Sequence, residues 1–155
     1  MKQEEILQQV KDGRLSIEEA STLLKGIEDI GYAAIDLSRQ KRNGFPEIIY
    51  GEGKNIEQLI GIITAMNEHK TAILATRVNA EKGEALAQAF PEGVYEPLGR
   101  TFVLNPIAPK HDHYIAVVTA GTSDIPVAEE AAVTAETFGN HVKRIYDVGV
   151  AGIHR

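Results

Sequence analysis

The sequence predicts a mixed α/β chain: a small N-terminal α+β domain over residues 1–109, then, over residues 110–155, the first βαβ unit of a parallel sheet left incomplete. Three observations predict it. Apolar residues recur at i, i+3, i+4 spacing in at least two amphipathic stretches. Short apolar or alternating runs bounded by turn residues are interleaved with them. Finally, Tyr114-Ile115-Ala116-Val117-Val118-Thr119-Ala120 is a near-continuous apolar run, the pattern of a strand covered on both faces in a parallel sheet, and it leads through Gly121-Thr122-Ser123-Asp124 toward a helix.

In chain order, a first helix carries Ile6, Leu7 and Val10, and a second carries Ile17, Ala20, Leu23, Leu24 and Ile27. Ser16 with Glu19 makes a capping box for the second, and Gly13 and Gly31 fall where the chain reverses. Ala34 to Leu37 reads as a short strand, followed by a basic loop through Arg39, Lys41, Arg42 and Asn43, and a second strand at Glu47 to Tyr50. After Gly51-Glu52-Gly53-Lys54 comes a helix with Ile56, Leu59, Ile60, Ile63 and Met66 on one face. Thr71 to Ala75 is an apolar strand. Asn79 is the N-cap of a helix that buries Ala80, Leu86, Ala87 and Phe90 and stops at Pro91. Strands follow near Val94-Tyr95 and at Thr101 to Leu104. Two prolines in four positions make Asn105-Pro106-Ile107-Ala108-Pro109-Lys110 the expected domain boundary.

Beyond it, the helix after Gly121 to Asp124 is expected to bury Val127, Ala131, Ala135 and Phe138 and to close at Gly139-Asn140, with a strand returning from Val142 to Val148. Two parallel strands cannot cover both of their faces. The sequence is therefore expected to be a C-terminal truncation, or to take strands from another chain.

Composition narrows the function. There is no cysteine among the 155 residues, which excludes disulfides, thiolate zinc sites and a cysteine nucleophile supplied by them. A formal charge of -6 disfavours nucleic acid as a partner. No apolar run reaches membrane-spanning length and the N-terminus lacks a basic-then-apolar signal, so a cytoplasmic protein that does not enter the membrane is expected.

The chemistry is expected in the loops. Gly121 permits a tight turn at the top of an apolar strand, and Thr122 and Ser123 add hydroxyls to the free amides of the helix start, an arrangement that attracts anions. Asp124 repels a phosphate placed directly beside it and is better suited to ribose hydroxyls. The same four residues equally describe an ordinary helix cap. The loop Asp147-Val148-Gly149-Val150-Ala151-Gly152 leaves the next parallel strand at the same carboxyl edge, where open α/β sheets bind ligands, and Asp147, Gly149 and Gly152 are candidate contacts; a tight βα turn is the plainer reading. Arg39, Arg42 and Lys54 are candidate anion contacts, or a solvated basic surface. Gly51-Glu52-Gly53-Lys54 is not a P-loop, since no Ser or Thr follows the lysine. His111 and His113 lack a third ligand, and no metal is expected there.

Three runs carry a resemblance. Gly44 to Lys54, Ala120 to Ala131 and Tyr146 to Arg155, in this order and spanning nearly the whole chain, resemble the LarB family, whose second domain resembles PurE, the aminoimidazole ribonucleotide carboxylase. The resemblance implies a PurE-like, flavodoxin-like sheet for residues 110–155. The PurE-type Gly-Ser-x-Ser-Asp loop corresponds to Ala120-Gly121-Thr122-Ser123-Asp124, which keeps Ser123 and Asp124, so ligand contacts are carried over to those two. The Ser-Ala-His-Arg loop of PurE is not matched by Gly149-Val150-Ala151-Gly152, and His154 is not given its catalytic role.

What the resemblance implies is synthesis of the nickel-pincer nucleotide cofactor: carboxylation of the pyridinium ring of nicotinic acid adenine dinucleotide with carbon dioxide or bicarbonate, then phosphoanhydride hydrolysis that releases AMP and leaves pyridinium-3,5-biscarboxylic acid mononucleotide. Magnesium as cofactor and a homo-oligomer are implied with it, the magnesium ligands being open between Asp124 and Asp147. The family's reaction uses a cysteine thiolate, which these residues lack, so the chain alone is expected to be inactive. Two alternatives stand beside this: a PurE-like aminoimidazole ribonucleotide carboxylase, and a non-catalytic nucleotide-binding or assembly module.

Overall fold

A computed structural model describes residues 3–152 and His154. They form two compact units, Met1–Glu47 and Ile48–Arg155. In the first, α1 (Gln3–Lys11) and α2 (Ile17–Lys25) pack as a helical hairpin. The capping box is present: the Glu19 amide donates to Ser16 Oγ at 3.1 Å, and the Ser16 amide donates to the Glu19 carboxylate at 2.8 Å. Gly26, left-handed at φ +67, ends α2. Ile27 therefore does not extend the helix, as its spacing predicts, but opens β1 (Ile27–Asp29), which pairs antiparallel with β2 (Ala34–Asp36). The expected basic loop is instead a single helical turn, α3 (Arg39–Asn43), closed by Gly44 at φ +84. Among the described residues Ile6, Ala20, Ile35 and Pro46 are buried in this unit.

The second unit contains a four-stranded sheet in the order β3-β4-β6-β5, comprising β3 (Ile48–Tyr50), β4 (Ile73–Thr76), β5 (Val94–Glu96) and β6 (Thr101–Leu104). β3 and β4 are parallel, while β6 runs antiparallel to both of its neighbours. The crossovers β3 to β4 and β4 to β5 advance in one direction, and right-handed connection puts α4 (Ile56–Glu68) and α5 (Ala80–Ala89) on one face, in mutual contact. α4 starts from a capping box of Asn55 and Gln58 and buries Leu59, Ile62, Ile63, Ala65 and Met66. Asn79 caps α5 as the sequence predicts, but of the expected Ala80, Leu86, Ala87 and Phe90 only Leu86 is buried; Ala80 and Ala87 are exposed, because the helix turns Gly83 toward the Tyr95 ring.

The proline-containing segment 105–110, expected as a domain boundary, lies inside the second unit, where the Ile107 amide donates to the Thr137 carbonyl at 2.9 Å. It leads to β7 (Tyr114–Val118), α6 (Ile125–Thr137) and β8 (His141–Ile145), with β7 and β8 parallel. This is the expected βαβ unit, and the chain as a whole is a mixed α/β fold consistent with a PurE-like one. α6 packs on β4 and β6 as well as on β7 and β8, so it lies between two sheets.

That position accounts for two departures from expectation. α6 buries Ala128, Glu129, Ala132 and Thr137 rather than Val127, Ala131, Ala135 and Phe138, and Val127 is 65% exposed. Small residues let the sheets approach: a Cβ on Gly99 would stand 2.9 Å from the Glu130 nitrogen. β7, expected to be covered on both faces, exposes Tyr114, Ile115 and Val118, because among the described residues only α6 covers the two-stranded sheet. β8 stops at Ile145 rather than Val148 as the chain turns through Asp147, left-handed at φ +57. No helix of the described residues is long and apolar enough to cross a membrane.

Candidate functional site at the carboxyl edge of the parallel strands

Because β7 and β8 are parallel, the loops that follow them leave from the same edge. Gly121 is extended, residues Thr122–Asp124 make one 3-10 turn, and α6 follows with Pro126 in its first turn, where the missing N–H costs nothing. Asp124 occupies the N-cap position without a side-chain capping bond. Thr122, Ser123 and Asp124 are all exposed. The Asp124 and Ile125 amides donate to the Gly121 and Thr122 carbonyls and Pro126 has none, so the 3-10 turn itself closes the start of α6 and leaves the exposed Thr122 and Ser123 side chains as the polar groups facing outward.

The second loop is stitched to the first through Thr119. The Thr119 amide donates to the Ile145 carbonyl at 3.1 Å, and the Val148 and Gly149 amides donate to the Thr119 and Ala120 carbonyls at 3.0 and 2.8 Å. Thr119 Oγ1 accepts from the Asp147 amide at 3.1 Å. Residues 121–124 and 147–149 therefore share one edge, with Asp147 and Gly149 both left-handed, at φ +57 and +72. Gly152 follows further along the second loop, against His154, whose ring would lie 2.3 Å from a Cβ placed there. Ile153 and Arg155, which belong to the third resembling run, lie outside the described residues.

Sequence reasoning missed Thr119 as the clasp between the loops, although it is the one aliphatic hydroxyl within the apolar run before Gly121. It also missed the cluster beneath them. Arg144 on β8 donates to Glu129 at 2.8 to 3.0 Å and to Glu136 at 2.6 and 2.8 Å, and the Tyr146 hydroxyl donates to Glu129 at 2.8 Å. The guanidinium, then the Tyr146 hydroxyl, hold the Glu129 carboxyl below its usual range against the opposing effect of burial. Burial first, and the bond to Glu129 second, push Tyr146 up to about 12. These groups satisfy one another, which fixes α6 on β8.

The predicted basic contacts are dispersed. Arg39 is exposed on α3, and Arg42 is engaged by Asp36 and the Ser38 hydroxyl, a contact that lowers the Asp36 pKa. Both belong to the first unit. Lys54, in the second, donates to the Tyr50 carbonyl at 3.0 Å. His111 and His113 stack with ring centroids 4.9 Å apart. Among the described residues no three His, Asp or Glu side chains come together to hold a metal.

Comparison with known proteins supplies the family. An uncharacterized protein of Methanocaldococcus jannaschii is 34% identical over 166 residues, an alignment covering 97% of this chain and 63% of the relative, so the chain spans less than two thirds of that protein's length. The family model of the LarB/PurE-like N-terminal domain matches residues 27–106, slightly more than half the chain. The chain belongs to the LarB/PurE-like family.

Proposed function

We propose that the protein acts in nickel-pincer nucleotide biosynthesis, as a carboxylase of the pyridinium ring of nicotinic acid adenine dinucleotide that also cleaves the phosphoanhydride and releases AMP. Membership of a carboxylase-related family supports the reaction class. The observation that carries the site is the pair of loops joined through Thr119 at one carboxyl edge, with Thr122, Ser123 and Asp124 exposed on the first of them. In this reading Gly121 and the exposed Thr122 and Ser123 hydroxyls receive the ligand phosphates, and Asp124 accepts from ribose hydroxyls. Asp147, Gly149 and Gly152 border the same ligand. A magnesium ion here fits only with oxygens from the ligand phosphates, since it takes one or two carboxylates and phosphate oxygens rather than an all-protein cage, and Asp124 and Asp147 are the carboxylates that the two loops carry.

An electron-poor pyridinium does not attack carbon dioxide unaided. Addition of a thiolate gives an enamine-like ring whose carbon does, and the thiolate is expelled once the ring proton is lost. With no cysteine of its own, this chain binds the dinucleotide and does not turn it over. Association of several copies belongs to the same reading.

Calorimetric titration with nicotinic acid adenine dinucleotide tests it. Binding that weakens in Ser123→Ala and Asp124→Ala, with no biscarboxylated product on adding bicarbonate and magnesium, is the expected result. Product formed by this chain alone would refute the thiolate requirement, and turnover of aminoimidazole ribonucleotide would favour the PurE reaction instead.

A further inference from the structure

The edge of the four-stranded sheet carries a second constellation, which the function above does not use. β3 and β4 are parallel, and their carboxyl ends meet the start of β6. The Gly51 amide donates to the Thr76 carbonyl at 2.8 Å, and the Val78 amide donates to the Arg100 carbonyl at 2.8 Å, which joins three corners of chain side by side. Two of those corners hold arginines in the left-handed region, Arg77 at φ +56 and Arg100 at φ +53. Glycine or asparagine is the usual occupant of such positions, and an arginine there is disfavoured by about 1 kcal/mol.

Tyr50 ends β3 in register with Thr76, on the strand beside the Arg77 corner, and is 53% exposed. Its hydroxyl donates to Glu52, and that bond raises its pKa while Arg77 and Arg100 oppose the rise. Arg77 is paired with Glu130 at 3.1 Å; Arg100 is exposed and has no carboxylate partner among the described residues. Two lysines add to the positive charge without neutralisation by carboxylates. Lys82 donates to the Gly51 and Glu52 carbonyls at 2.9 and 3.1 Å, and Lys54 donates to the Tyr50 carbonyl. Lys54, Arg77, Lys82 and Arg100 thus stand among Glu52, Glu84, Glu96 and Glu130, and of the two arginines Arg100 is the one whose guanidinium is not spent on a carboxylate.

We propose that Arg77, Arg100 and the ring of Tyr50 form a binding position for a nucleoside monophosphate, separate from the loops after β7 and β8. The guanidiniums take the phosphate through charge-assisted bonds, and the exposed phenol ring stacks on the base. Free guanidinium donors on Arg100 and an aromatic face beside them are what this ligand class requires. The spent side chains, Lys54 and Lys82, fix the Gly51 loop and add field.

The test is an amide NMR titration of the full chain with AMP, inorganic phosphate and adenosine at low ionic strength. AMP is expected to shift the amides of Tyr50, Gly51, Arg77, Val78 and Arg100, phosphate to shift them more weakly, and adenosine hardly at all. Arg100→Gly should weaken AMP at these amides by about tenfold or more, as expected for loss of a charged hydrogen-bond partner. The same variant should keep or raise the thermal midpoint, since glycine adopts φ +53 without strain. Unchanged affinity in Arg100→Gly, equal binding of adenosine, or AMP shifts confined to residues 121–124 and 147–149 would each overturn the proposal. The last outcome would leave the proposed function standing, whereas AMP shifts at 50, 77 and 100 with none at 121–124 on adding the dinucleotide would do the reverse.

Discussion

The Arg144 guanidinium holds the Glu129 carboxylate through three hydrogen bonds of 2.8 to 3.0 Å, across the interface between β8 and α6. The Glu129 side chain is 10% exposed and that of Arg144 32%. Removing the cation strands a buried carboxylate, which costs more than the pair contributes net. Arg144→Met is therefore expected to destabilise the second unit by about 2–4 kcal/mol, and Glu129→Gln by less, because an amide still accepts from Tyr146. Urea unfolding of both variants and of the double variant gives the coupling. A double variant as unstable as the sum of the singles would show that the two residues do not interact energetically.

The same cluster sets a pH dependence. Glu129 is held below its ordinary value of 4.5, so its contribution is present above that pH and is lost as pH falls through the lower, folded value. Tyr146 is raised from 10.0 to about 12, so its contribution is intact below pH 10.0 and is lost as pH climbs toward about 12. Thermal midpoints across the pH range should fall at both ends. Glu129→Gln should flatten the acid limb, and Tyr146→Phe the alkaline one.

Much of this fold is legible in the sequence because local chemistry determines it. Ser16 with Glu19 and Asn79 specify helix starts found where expected, and the apolar spacing of Leu59, Ile63 and Met66 specifies the buried face of α4. What failed was tertiary. Val127 and Ala131 satisfy helical spacing as well as Ala128 and Ala132 do, and which pair is buried is decided by the packing of α6 on β4 and β6 and by the β5–β6 turn, where Gly99 meets Glu130. Ile27 continues an apolar stripe, yet Gly26 has already ended the helix. At the candidate site, Gly121 to Asp124 and Asp147 to Gly149 stand out as turns after strands, but their adjacency depends on Thr119, whose role becomes visible only when β7 lies beside β8. Arg77 and Arg100 are far apart in sequence, and their left-handed conformations have no signature that separates them from surface arginines.

Gly83 inverts a usual rule. An alanine in the middle of a helix is ordinarily about 1 kcal/mol better than glycine. Here its Cβ would stand 2.5 Å from the Tyr95 ring, which is anchored by its hydroxyl to the Val78 carbonyl at 3.1 Å and cannot withdraw without losing that bond. Overpacking of this kind costs about 1–3 kcal/mol. Gly83→Ala is expected to lower the thermal midpoint, while Gly53→Ala, with no atom within 4 Å of the added carbon, should leave it nearly unchanged. An unaltered midpoint in Gly83→Ala would mean that the ring has room to move.

Thr119→Val isolates the clasp. Valine keeps the shape and the β propensity of threonine but removes the oxygen that accepts from the Asp147 amide, at a residue only 6% exposed. The two backbone bonds from Val148 and Gly149 remain, so the strand pairing should survive and the loss of stability should stay near 1 kcal/mol. Hydrogen exchange at the Asp147 amide should accelerate more than at Thr119 itself, whose bond to Ile145 is untouched. If the two loops act as one binding edge, affinity for the dinucleotide falls several-fold in Thr119→Val and is restored in Thr119→Ser, which returns the acceptor without the methyl group. Faster exchange at Asp147 with unchanged affinity would separate the two loops functionally and confine ligand contact to Gly121 through Asp124.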